Sequence, residues 1–238
     1  VVGIVLGVYI GTIVLLNIPN IQQAMSVFVA EELSEVLNTK VVIGRINMGL
    51  LNRIIIDDVL LDDQSGQEML KVTRLSAKFD IMPFFKGKIS ISSVQLFGFN
   101  INLRKETPDS PPNFKFVLDA FASKDTVKKE NSLDLRINSI LIRRGRMSYH
   151  VLSEEETPGK FNAKHIQLQN IIANISLKAL SKDSLNLGIK RLSLDEKASG
   201  FSLKKMSLKL VANNKQTNID NFTIELPETS LKLDTIHL

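Results

Sequence analysis

The chain has 238 residues, a formal net charge of +5, no cysteine, no tryptophan and only 6% aromatic residues. Absence of cysteine removes any disulfide framework, thiolate metal site or thiol nucleophile. The positive charge alternates with apolar residues instead of gathering beside stacking aromatics, so a nucleic-acid partner is not expected.

No charged residue precedes Glu31, and the stretch from Val1 to Leu16 is almost wholly apolar. As a helix it would span roughly 24 Å, short of the ~30 Å hydrocarbon layer. The sequence also begins without Met. The expectation is a transmembrane anchor over 1–18 that is truncated at its N-terminus. A cleaved signal peptide fits less well, because Pro19, Asn20, Gln22 and Gln23 intervene before the small-x-small step at Ala24 and Ser26. A buried core helix is the other alternative, but strands offer little to bury it. Gly3, Gly7 and Gly11 recur at i, i+4 and i+8, a spacing that lets another transmembrane helix pack closely.

An amphipathic helix is predicted over 19–39. Ile21, Met25, Phe28, Val29, Leu33, Val36 and Leu37 form its apolar stripe, and Glu31, Glu32 and Glu35 lie off it. Membrane-surface helices favour Lys and Arg on the polar face. This face is acidic, so the helix is expected to plug the end of whatever the strands build.

From residue 40 onward one eight-residue pattern dominates: apolar, any, apolar, two mostly polar residues, apolar, any, apolar. Its first copy is Val41-Val-Ile-Gly-Arg-Ile-Asn-Met48. The others begin at Ile54, Leu70, Ile89, Leu135, Ile166, Leu187, Phe201, Thr217 and Leu231. Each half alternates with period two, as a strand with one buried face does. The central pair shifts the phase by one residue, which in a straight strand would turn the second half to the opposite face. A bulge or a corner at the pair keeps both halves on one side and curves the sheet. The late copies start 14, 16 and 14 residues apart, room for a strand and a short turn. The expected fold is therefore mostly β: a curved antiparallel meander forming an open apolar groove. An ordinary two-sheet sandwich is the alternative.

The first groove segment runs over 40–122. It ends in a short helix at 113–122, with Asn113 as N-cap and Phe116, Val117, Ala120 and Phe121 as its apolar face. Residues 123–131 read as a charged linker, and 132–238 continue the repeats, with an exposed turn at 153–159. Leu238 completes a copy without closing the sheet, so the sequence is expected to be a fragment that continues further.

Catalytic chemistry is not evident. His150, His165 and His237 are dispersed and match no metal-ligand spacing. Asp57-Asp58 occupies a repeat slot, and Asp62-Asp63 opens a turn without EF-hand spacing. No phosphate loop, nucleophile elbow or dinucleotide fingerprint occurs. No enzyme activity, metal or cofactor is expected.

One further feature is the order of segments. An apolar anchor is followed by Ile18-Pro-Asn-Ile-Gln-Gln23, an amphipathic helix, Leu37-Asn-Thr-Lys-Val-Val-Ile-Gly-Arg-Ile46 and Val59-Leu-Leu-Asp-Asp-Gln-Ser-Gly66. Phe84-Phe-Lys-Gly-Lys88 and Asn113-Phe114 continue the series. Over residues 1–122 this resembles the N-terminus of the TamB family (translocation and assembly module, AsmA-like superfamily) in a Bacteroidota-like form. Beyond 122 only the strand repeat supports the likeness. The resemblance implies a bridge like the chorein-type lipid-transfer proteins. It would be anchored in the inner membrane by a single span, lie in the periplasm and reach toward an Omp85-type outer-membrane barrel. The implied cargo is phospholipid. The expected lining residues are Ile89, Ile91, Val94, Leu96, Phe99, Ile101, Ile137, Ile140, Ile142, Leu192, Leu194, Met206, Leu208, Phe222 and Ile224. The rival expectation is an anchored scaffold that assists assembly or secretion of outer-membrane barrels through its strand edges.

Overall fold

A computed structural model describes residues 7, 10, 11, 14–49, 52–80, 91–121, 137–181 and 184–237. The elements in chain order are α1 (Pro19–Leu37), β1 (Val41–Gly49), β2 (Arg53–Asp62), β3 (Glu68–Phe79), β4 (Ile91–Lys105), α2 (Lys115–Phe121), β5 (Ile137–Val151), β6 (His165–Ser181), β7 (Ser184–Glu196), β8 (Ser202–Asn213), β9 (Thr217–Glu225) and β10 (Ser230–His237). All ten strands lie side by side in sequence order in one open, curled sheet. Each strand touches only its neighbours, and among the described residues no second sheet covers either face. The sandwich alternative is thereby removed.

The repeat explains how one layer stays apolar on one side. Ile56 and Val59 flank Asp57-Asp58, and Asp58 adopts a left-handed backbone with φ 56°. Such a residue breaks the alternation, so the apolar positions on either side face the same way. Asn170 (φ 54°) and Asn221 (φ 53°) do the same in β6 and β9. Asp and Asn tolerate this conformation better than other L residues because their short polar side chains bond locally. At Asn170 the side-chain amide donates to Asp195 Oδ2 at 2.7 Å, tying the break to β7. Elsewhere the phase is reset by a register shift, as between Ile189 and Leu192 where β7 meets β8.

Strands β4 and β5 carry two breaks each. The first falls at the expected pairs, seen as shifts in pairing at Phe79↔Ile91 and between Ile137 and Ile140. The second, not expected, lies at Phe97-Gly98 and Arg143-Arg144, where Gly98 (φ 64°) and Arg144 (φ 55°) are left-handed. Arg144 lacks the intrinsic tolerance of Asn or Gly; its guanidinium lies 5.1 Å from the centre of the Phe97 ring.

The sheet is mixed, which corrects the expectation of a purely antiparallel meander. β4 and β5 pair in parallel, from Ser93↔Ser139 to Lys105↔Val151. The physical reason is the connection: 31 residues (106–136) separate Lys105 from Ile137, long enough for the crossover that a parallel pair requires and a tight hairpin cannot supply. The helix in that crossover, α2, begins at Lys115. Asn113 is not its N-cap. The Asn113 side-chain oxygen instead accepts from the Arg104 amide at 3.0 Å, and its Nδ2 donates to Asp63 at 3.1 Å. The expected linker at 123–131 lies outside the described residues.

Helix α1 opens with Pro19 at its first turn and closes at Asn38, which is left-handed with φ 49°. It packs on β1, and Ala30, Leu37, Val41, Ile43, Ile46, Leu61 and Met69 form a core there with Met25, Val29 and Leu33 around it. Ser34 Oγ accepts from the Val41 amide at 3.0 Å, which fixes the helix end to the strand. The buried stripe is rotated from the expected one. Gln22, Ser26 and Ala30 face inward, while Phe28 and Val36 are exposed. Ser26 Oγ can turn inward because it donates to the Gln22 carbonyl at 2.8 Å. The described residues of the apolar N-terminus (7, 10, 11, 14–16) are helical, and the rest of that expected span lies outside the described set. Among the described residues no helix is long and apolar enough to cross a membrane.

At the centre of the sheet Phe99 is 6% exposed and packs with Val72 and Ile171. Its ring fills the space over Gly145, where an added Cβ would lie 2.4 Å from two ring carbons. Gly145→Ala is expected to lower unfolding stability by about 1–3 kcal/mol through overpacking, measured by urea denaturation. A variant as stable as the parent would contradict this packing.

Candidate functional site: the apolar face of the sheet

Register follows one row of side chains across the whole sheet. Ile46 pairs with Ile56, Ile56 with Leu75, Leu75 with Leu96, and Leu96 with Ile142. The row continues through Ala173, Leu192, Met206 and Ile224 to Leu231. Every member is apolar. At about 4.8 Å between strands the row has a contour of roughly 43 Å. A second row runs beside it: Met48, Ile54, Ala77, Val94, Ile140, Ile175, Ile189 and Leu208. The opposite face is mainly charged over β1 to β5, with Arg45, Asp57, Arg74 and Arg143 in one register row and Phe97 its apolar member.

Cover on the apolar face is uneven. At the β1 end α1 lies over it, and Phe114, Phe116 and Val117 of the crossover pack against the same core. From β4 to β9 most of the row is half-buried, including Leu96, Ile142, Leu192, Met206 and Ile224. Leu96 and Ile142 pack against the buried centre, and all five side chains keep partial exposure to solvent.

The expected lining residues fall as follows. Val94, Leu96, Ile140, Ile142, Leu192, Met206, Leu208 and Ile224 belong to the two rows. Ile91 pairs with Phe79, Ile101 with Leu70 and Met147, Leu194 with Leu203, and Phe222 with Leu233. Phe99 belongs to the buried centre. Ile89 lies outside the described residues, and Ile137 is placed only by its backbone pairing with Leu177. Sequence reasoning missed Ile175 and Ile189, which a second pass of the period-two pattern would have found. Ala173 was also missed, because its small side chain gives a weak apolar signal.

One rim of the sheet carries the polar chemistry. Asp63 is 2% exposed. It accepts from Ser65 N at 2.9 Å and pairs with Arg104 at 2.6 Å. Burial pushes its carboxyl upward, but hydrogen bonds from Ser65, Asn113 and the Gln67 amide outweigh that and hold it below the ordinary range. With Arg104 as partner, this carboxylate is a structural tie between the β2–β3 turn and the crossover. Asp57 is likewise paired, with Arg74 at 2.6 Å. Glu196 in the β7–β8 turn is 3% exposed. It accepts from Ser199 N at 2.7 Å, Gln167 N at 3.1 Å and Ala198 N at 3.2 Å.

The histidines are not all dispersed, contrary to expectation. His150 and His165 face each other across β5 and β6. Glu156 from the intervening loop joins them, so the three offer donor atoms within 4.8 Å of one another. Their sequence spacing matches no motif because strand register, not helical spacing, makes the cluster. His237 stands apart and bonds Asn218 Oδ1 at 2.8 Å.

Comparison with protein-family models finds no match, and comparison with curated proteins finds none.

Glu196 yields a test of pH dependence. Burial raises its pKa, but the donors from Ser199, Gln167 and Ala198 outweigh burial and bring it from 4.5 down to about 2. Because the folded value is the lower one, its stabilisation is complete above pH 4.5 and is lost as pH falls toward about 2. Glu196→Gln is expected to lower stability by about 2 kcal/mol at neutral pH, with the difference from the parent shrinking over that acid window. Unfolding midpoints measured across the window check it; a constant difference would refute it.

Proposed function

We propose that this chain is a stretch of a bridge that conducts phospholipid, with acyl tails on the apolar face and headgroups in solvent. The single observation that supports it most is the unbroken row from Ile46 to Leu231, partly exposed to solvent over much of its length. Each methylene moved from water onto such a face is worth about 0.8 kcal/mol, so a tail gains from following the row. Aliphatic walls offer few hydrogen-bonding groups to fix a lipid in one place, which suits movement. Curling the sheet gives the tail contacts on more than one side.

In this proposal the apolar N-terminus anchors the chain in an inner membrane and α1 closes the membrane-proximal end of the groove. The sheet lies in the periplasm. The TamB-like order of segments is consistent with that placement, as is an Omp85-type barrel as the distant partner. Transport of this kind needs no catalytic residue in the chain.

A second reading rests on a different observation. Among the described residues, strand β10 pairs only with β9 and lies at one edge of the sheet. Such an edge can take up an extended segment of another chain by strand addition, as a scaffold for barrel precursors would.

Charges placed in the row separate the two. Ile140→Asp and Leu192→Asp are expected to reduce phospholipid retained by the detergent-purified full chain at least about tenfold, since an unpaired carboxylate opposes tail binding by more than 1.4 kcal/mol. Ser207→Asp, on the opposite face beside Met206, is expected to leave retention unchanged. Native mass spectrometry gives the readout. Equal retention in all three variants would sink the bridge and favour the scaffold.

A further inference from the structure

The cluster at the β5–β6 loop has the features of a built metal site. The two strands align His150 with His165 across the ladder, and the loop between them returns Glu156 to the same spot. His150 Nδ1 and His165 Nδ1 are 3.0 Å apart, and Glu156 Oε1 lies 3.7 Å and 3.9 Å from them. A point equidistant from these three atoms sits about 2.1 Å from each, within the ranges for zinc bonds to imidazole nitrogen and carboxylate oxygen.

The second nitrogen of His165 supplies an independent indication. His165 Nε2 lies 2.9 Å from the Glu154 backbone carbonyl. A carbonyl only accepts, so Nε2 carries a proton, which leaves Nδ1 as the ring atom available to a metal ion. Ligating histidines are commonly oriented by this arrangement. His165 is 7% exposed, which fixes the ring further. The loop is held at both ends. Val151 N donates to Lys164 O at 2.9 Å, Glu154 N to Val151 O at 3.0 Å, and His165 N to Asn162 O at 3.0 Å. The nearby Lys164 ammonium is engaged by the Glu154 carboxylate at 2.6 Å, so its charge is balanced beside the site.

We infer that His150, His165 and Glu156 bind one divalent transition-metal ion of the zinc class, through the two Nδ1 atoms and one carboxylate oxygen. The ion would join β5, β6 and the 153–164 loop at one rim of the sheet. Glu156 is exposed, so a fourth position opens to solvent and can take a water or a donor from a partner. Two imidazoles and a carboxylate favour zinc over magnesium or calcium, which take oxygen ligands.

The test uses the detergent-solubilised full chain, stripped with a chelator and titrated with Zn2+ by calorimetry. Co2+ absorption serves as a second probe of coordination. One ion per chain is expected, together with slower hydrogen exchange of amides in the 153–164 loop once zinc is added. Glu156→Ala and His150→Ala are each expected to weaken binding at least about tenfold, while His237→Ala leaves it unchanged. Glu156 is exposed and, among the described residues, its ion-pair contacts are with the two histidines, so its variant keeps the test valid if replacing a histidine loosens the hairpin. Absence of a one-equivalent step in the parent, or parental affinity in Glu156→Ala, overturns the inference.

Discussion

Period-two alternation is the constraint from which the rest of this structure follows. A straight strand with one apolar face has no reason to bend, and ten of them would make a flat plate. Here the alternation is interrupted once or twice in each strand, and the interruption preserves the side rather than changing it. Left-handed residues do this at Asp58, Gly98, Arg144, Asn170 and Asn221; shifted pairing does it in β7 and β8. Both devices increase local twist. One-sidedness and curl therefore arise from the same event, and the apolar row from Ile46 to Leu231 is its product.

Single-layer construction changes what holds the molecule together. In a sandwich the second sheet would bury the apolar face. Here the buried residues cluster under α1 and around Phe99; Ala173, Val151 and Leu203 are buried besides, and most of the remaining row is half-buried. Backbone ladders and rim ties supply the rest. Asp63 with Arg104 and Asn113, and Glu196 with three amides, pin the turns where adjacent strands would otherwise fray. These carboxylates are saturated by donors and serve the architecture. The His150–His165–Glu156 cluster sits on the same rim and differs in kind: its three candidate ligand atoms lie within 4.8 Å of one another, with the two Nδ1 atoms 3.0 Å apart.

Much of the sheet was legible because the signal is local. Eight residues suffice to show alternation and its interruption, so the strands could be placed, and eight of the expected lining residues fall in the two apolar rows. The helix stripe was less legible. Gln22 and Ser26 can lie inward because Gln22 Nε2 donates to Asn17 Oδ1 just before the helix and Ser26 Oγ to the Gln22 carbonyl, and hydrophobic spacing carries no information about that. The breaks at Phe97-Gly98 and Arg143-Arg144 were missed for a related reason. A Phe and an Arg within a strand do not announce a change of phase, and the space for it is made by packing of Phe99 over Gly145.

What the sequence determined alone is a β-rich chain whose strands keep one apolar side through repeated phase breaks, since those depend on near neighbours along the backbone. Tertiary structure decided the parallel β4–β5 pair, the openness of the face and the meeting of His150, His165 and Glu156. Each of these turns on which distant segments come to lie side by side. That is set by the path of the crossover and the register of strands, neither of which any single stretch of residues encodes.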